Sequence, residues 1–132
     1  PLLQQQPVEL VIANRTIEKA HTLAQHFATY GNIKASQFEM VAGHIDIIIN
    51  ATSASLQGQV PPIPTTIISS MTCCYDMMYG NEDTAFISWA KQHHPHKAID
   101  GLGMLVEQAA ESFRLWRGIQ PATQAVIELL RQ

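Results

Sequence analysis

Four polar clusters carry most of the chemistry this sequence offers, and each follows a short apolar run. They are Asn14-Arg15-Thr16, Asn50-Ala51-Thr52-Ser53, Asp76-Met77-Met78-Tyr79 and Asp100-Gly101-Leu102-Gly103. The first sets a guanidinium between two hydrogen-bonding side chains, and Lys19 adds a second cation one helical turn on. Guanidinium forks match phosphate oxygens two at a time and stack on flat rings. The second cluster combines small residues with hydroxyls. Such a loop lets a ligand approach its backbone, and it equally well caps itself from within. The third places soft methionine surface beside a phenol, which serves ring binding or core packing.

The fourth cluster puts two glycines ahead of a helix. A phosphate-binding G-x-G-x-x-G loop would need a third glycine where Val106 stands, and would open a βαβ unit rather than come late in the chain. Close backbone approach of Gly101 to a flat ring is the better expectation, with Gln108 presented from the helix. The alternative is a turn glycine and a solvated glutamine.

The elements that must hold these clusters can be read from periodicity. Val8–Ala13 reads as a strand. Ala20, Leu23, Ala24 and Phe27 recur at helical spacing over Ile17–Tyr30, with Thr16 as N-cap and Gly31-Asn32 as the stop. Ser36–Val41 reads as one helical turn. Ile45–Ile49 is a continuous apolar run, as for a strand covered on both faces. Asn50–Thr65, with its three prolines, reads as loop. Thr72–Tyr75 and Lys97–Ile99 read as strands, and Thr84–His93 as a helix with Phe86, Trp89, Ala90 and His93 on one face. A helix from the fourth cluster to Arg117 carries a stripe of Leu105, Ala109, Phe113 and Trp116, and Gly118 ends it. Pro121 suits the first turn of a last helix with Ala122, Val126, Leu129 and Leu130 on its face.

Alternating strands and helices predict an α/β, Rossmann-like parallel sheet with helices on both faces. Ligands of such sheets bind at the carboxyl ends of strands, where all four clusters fall. An arginine at the position of Arg15 accommodates a ribose 2′-phosphate where an acidic residue would select a free hydroxyl, so NADP rather than NAD is the implied cofactor. A solvated arginine in a polar turn is the alternative.

Composition narrows the partners. Apolar residues make up 46% and charged residues 14%, which is globular, and a net charge of −3 with no basic block argues against nucleic acid. The longest apolar run, near Ile45–Ile49, is too short to span a bilayer, and no signal peptide is seen, so a cytoplasmic protein without a membrane partner is expected. Cys73 and Cys74 are adjacent and read as buried thiols. His93-His94-Pro95-His96 lacks partners at ligand spacing and reads as a helix end, so no metal is expected.

Together the clusters resemble the cofactor half of the shikimate dehydrogenase family. The matching stretches are Asn14-Arg15-Thr16 with Lys19, Asp46 to Ser53, Tyr75 to Tyr79 with Thr84 and Phe86, and Asp100 to Ala110 with Phe113, Trp116 and Gly118. They span nearly the whole chain in order. The resemblance implies NADPH-dependent, reversible reduction of 3-dehydroshikimate to shikimate, on the route to chorismate and aromatic amino acids. It assigns Asn14, Arg15, Thr16 and Lys19 to the adenosine 2′-phosphate end of NADP. Asn50 and Thr52 join the cofactor site, Met77 and Gly101 line the nicotinamide, and Tyr79 and Gln108 reach the substrate.

The chain departs from the family in lacking the glycine usual near Ser55, in having no proline near Asn81, and in having Lys19 where a second arginine is common. The family's glycine-rich loop, its first cofactor-domain strand and its substrate domain with a Lys–Asp catalytic pair all precede the matched segment. Residues 1–132 are therefore expected to be a truncated NADP-binding domain with no catalytic residue of its own, weak in NADP binding and inactive alone. Self-association as a homodimer through the open sheet edge is a further expectation. A quinate/shikimate dehydrogenase paralogue and a non-catalytic nucleotide-binding module remain as alternatives.

Overall fold

The computed structural model describes residues 1–131, and they divide into two compact units. The first comprises residues 1–44 and 61–67. Strand β1 (Leu10–Ala13) runs parallel to β2 (Ile33–Ser36), pairing Leu10 with Ile33 and Ala13 with Ser36. The crossover is helix α1 (Ile17–Phe27), which packs on both strands. Ala20 and Ala24 are its buried residues. Small side chains one turn apart let the helix backbone sit close to the strands. Leu23 and Phe27, expected on the same face, lie at its exposed edge.

Thr16 is the N-cap residue, yet its hydroxyl caps nothing. Asn14 Oδ1 instead accepts the Thr16 N–H at 2.8 Å, forming the turn that ends β1. Strand β2 is not anticipated by the sequence, because Ile33-Lys34-Ala35-Ser36 offers only two apolar residues in alternation. Its place is fixed by the parallel ladder, continued by Leu10 N–H to the Asn32 carbonyl and Asn14 N–H to the Ser36 carbonyl. The predicted helical turn follows as a 3₁₀ turn at Phe38–Met40. Val8 is exposed, so β1 starts two residues later than the apolar run.

The second unit comprises residues 45–60 and 68 onward. Strands β3 (Ile47–Asn50), β4 (Cys73–Asp76) and β5 (Lys97–Ile99) form a parallel sheet with β4 in the centre. Asn50 pairs with Asp76, and Tyr75 with Ile99, so the three strands end nearly level. Helix α2 (Ala85–Lys91) packs on β4 and β5 through Phe86, Ile87 and Ala90, all buried. Thr84 caps it by accepting the Ile87 N–H at 3.2 Å. Helix α3 (Leu102–Arg117) follows β5 directly, and α4 (Gln124–Leu130) packs against α3.

The α/β class and the parallel pairing are as expected, with three differences in packing. Among the described residues the strands form two parallel sheets, β1–β2 and β3–β4–β5. Ile47 and Ile49 are 63% and 41% exposed, so β3 is open on one face rather than covered on both. The buried stripe of α3 is Leu102, Val106 and Ala110, not Leu105, Ala109, Phe113 and Trp116. The helix starts at Leu102, immediately after Gly101. Trp116 is 81% exposed, and in α4 no residue is fully buried. Among the described residues no helix is long and apolar enough to cross a membrane, and no His/Cys/Asp/Glu group is placed to hold a metal. His93 instead packs its ring edge-on against Trp89, 5.2 Å away.

Candidate cofactor site

In the first unit the end of β1 opens on a cleft of about 290 Å³ lined by Asn14, Arg15, Gln37, Phe38, Glu39 and Pro62. Arg15 is exposed and has no ion pair among those described. Asn14 spends its side-chain oxygen on the turn. Thr16 and Lys19 are outside the cleft lining. Lys19 lies instead with Glu18, Thr22, Leu23 and His26 along the surface of α1. The cleft thus combines a free guanidinium, the Phe38 ring and one carboxylate, Glu39. Sequence reasoning misses Gln37, Phe38 and Glu39 because they follow β2, the strand whose pattern is too weak to recognise.

In the second unit the ends of β3, β4 and β5 are tied to one another. Asp76, fully buried, closes β4. Its Oδ1 accepts from Asn50 Nδ2 and from the Met78 N–H, each at 3.1 Å. Its Oδ2 accepts from Ser55 Oγ at 2.7 Å and from Thr84 Oγ1 at 2.6 Å. Asn50 also donates to Ser55 Oγ, and its Oδ1 accepts from the Thr52 N–H and hydroxyl. Thr52 Oγ1 in turn accepts the Ala54 N–H, capping the 3₁₀ turn Ser53–Gln57. The Thr52 hydroxyl thus caps its own turn, and the Asn50 side chain bonds to Ser55, Thr52 and Asp76.

Beyond Asp76 the chain passes closely over Gly101. A Cβ at Gly101 would lie 2.2 Å from the Met77 carbonyl oxygen and 2.7 Å from its carbon. The Gly101 N–H donates to the Met78 carbonyl at 2.9 Å, and the Met77 N–H to the Asn50 carbonyl at 3.0 Å. Gly101 has φ −78°, which any residue adopts, so space alone demands glycine here. Gly103 has nothing within 4 Å of an added Cβ. Met77 is 40% and Tyr79 46% exposed, and Gln108 lies exposed on α3. Burial pushes the Tyr75 hydroxyl pKa up, with Asp100 and Asp76 adding to the effect. Burial and the neighbouring Cys73 push the Cys74 thiol up to about 11.

Parallel strands joined by helical crossovers, with polar residues at their carboxyl ends, make the chain an α/β segment of the kind whose ligands bind at strand ends. Comparison with known proteins gives the family. Residues 1–58 match the family model described as shikimate / quinate 5-dehydrogenase, and residues 101–131 match the shikimate 5′-dehydrogenase C-terminal domain. The chain belongs to the shikimate dehydrogenase family. It is 54% identical, over 99% of its length, to the shikimate dehydrogenase (NADP(+)) of Colwellia psychrerythraea, of which it covers 48%. The chain thus spans about half the length of the curated relatives it matches. Among solved structures, the Ael1 enzyme from Pseudomonas putida superposes with a TM-score of 0.89 at 41% identity, over 100% of this chain and 49% of that one. Shikimate 5-dehydrogenase from Thermus thermophilus, in complex with NADP(H) and shikimate, gives 0.76 at 27% identity, over 97% of this chain and 47% of that one.

Proposed function

We propose that this chain is the cofactor-binding part of an NADP-dependent shikimate dehydrogenase, which reduces 3-dehydroshikimate to shikimate reversibly. The observation that carries the reading is the Arg15 guanidinium in the cleft after β1, in a chain that matches shikimate dehydrogenase models over residues 1–58 and 101–131. Met77 and Gly101, at the carboxyl ends of β4 and β5, are assigned to the nicotinamide ring. Arg15 is assigned to the adenosine 2′-phosphate, as the unpaired guanidinium at the end of β1, with Asn14 and Thr16 shaping its turn. Lys19 contributes longer-range positive charge from α1 rather than a direct fork. Asn50 and Thr52 act through the loop they brace. Tyr79 and Gln108, both exposed, are assigned to the substrate. The cofactor, when bound, supplies the hydride, and the residues of this chain bind and orient it.

NADP selectivity tests this reading. Titration of the chain with NADP+ and NAD+ should show preference for NADP+, and Arg15→Ala should abolish the preference while leaving NAD+ affinity within about twofold. Equal affinity of the parent chain for the two dinucleotides would refute the assignment of Arg15.

A further inference from the structure

We propose that the buried Asp76 carboxylate is a positioning residue that sets the Met77 carbonyl against Gly101, and with it the wall for the nicotinamide ring. The inference rests on the assignment of that ring to Met77 and Gly101.

Two carboxylate oxygens offer about four acceptor sites, and here four donors fill them. The two hydroxyl contacts, at 2.7 and 2.6 Å, fall at the short end expected for charge-assisted bonds. The donors come from separate segments: Asn50 at the end of β3, Ser55 after it, Met78 after β4, and Thr84 at the cap of α2.

Stability alone is a poor account of this arrangement. A buried carboxylate is costly to desolvate, and well-packed apolar residues often hold a core as well or better. What Asp76 does that an apolar residue would not is fix the Met78 N–H, two residues on. That bond orients the Met77–Met78 backbone, whose two carbonyls meet Gly101: one in steric contact, the other accepting its N–H.

Ser55 closes the arrangement, because its hydroxyl both donates to Asp76 and accepts from Asn50.

The test uses the 132-residue chain with Ser55→Ala, Thr84→Val and Thr84→Ser. Two readouts are taken: amide hydrogen exchange, and saturation transfer to NADP+ with nicotinamide and adenine protons resolved. Ser55→Ala and Thr84→Val should speed exchange at Met78 and Gly101 by about tenfold or more, the scale of a lost hydrogen bond to a charged group. Nicotinamide saturation should fall and adenine saturation should hold. Thr84→Ser, which keeps the hydroxyl, should behave as the parent does. Unchanged exchange at Met78 and Gly101 would overturn the proposal. So would a uniform rise across β3, β4 and β5, or a Thr84→Ser variant as disturbed as Thr84→Val. If the parent chain transfers no saturation to nicotinamide, the ring assignment fails, while the exchange pattern still decides the positioning role of Asp76.

Discussion

Replacing Gly101 with alanine isolates one contact. The added carbon would stand 2.2 Å from the Met77 oxygen, where ordinary contact begins near 3.4 Å. The carbonyl or α3 must therefore retreat by about 1 Å, in an interior packed too densely to absorb the movement freely. Neither side is loose. Met77 is held by its N–H on the Asn50 carbonyl, Met78 by Asp76, and Gly101 by its own N–H on the Met78 carbonyl. Overpacking of this kind costs about 1–3 kcal/mol. The φ of −78° adds no backbone strain, so the loss measures the steric term. Gly103→Ala is the control: it sits in the first turn of α3 with open space around it, and should gain up to about 1 kcal/mol from helix propensity. Urea denaturation followed by far-UV circular dichroism reads both, as a lower midpoint for Gly101→Ala and a level or higher one for Gly103→Ala. Equal stability of Gly101→Ala and the parent, or an equal loss in the control, would refute the close-approach argument.

Other outcomes follow from the same geometry. Glu39 lines the cleft with Arg15, so Glu39→Gln should tighten NADP+ binding by a few-fold at low salt and leave NAD+ unchanged, as calorimetry can measure. The Cys74 thiol is raised from 9.0 to about 11 in the folded chain, so the unfolded chain loses that proton first as pH rises. The associated stability is fully present below pH 9 and lost between pH 9 and about 11. Denaturation midpoints across that window should fall, and fall less steeply in Cys74→Ala. Phe86 is fully buried against β4 and β5 as part of α2, so Phe86→Ala should cost about 3–5 kcal/mol by denaturant titration.

The strand ends are legible in the sequence because apolar runs stop abruptly at Asn14, Asn50, Asp76 and Asp100. Strands β1, β3, β4 and β5 lie near the places their apolar runs indicate. The one missed, β2, alternates over four residues and is fixed by its ladder to β1 rather than by its own pattern. The sequence expects Gly101 against a flat ring, and what the structure puts beside it is the Met77 carbonyl, a neighbour that periodicity does not reveal and that separates it from Gly103. The face of α3 is misplaced by one position because exposed Phe113 and Trp116 weigh as heavily in a pattern as buried Val106. The Asp76 network lies beyond reach, since it joins Asn50, Ser55 and Thr84 across gaps of up to 26 residues. Lys19, one helical turn after Arg15, lies along α1 and is not among the residues that line the cleft.

The most direct test of the account is an amide chemical-shift titration of the 132-residue chain with NADP+. Shifts should concentrate at Asn14–Thr16 and Gln37–Glu39, and separately at Met77, Met78 and Gly101, with NAD+ leaving the first group nearly still. Shifts confined to other surfaces, or the same response to both dinucleotides at Arg15, would contradict it.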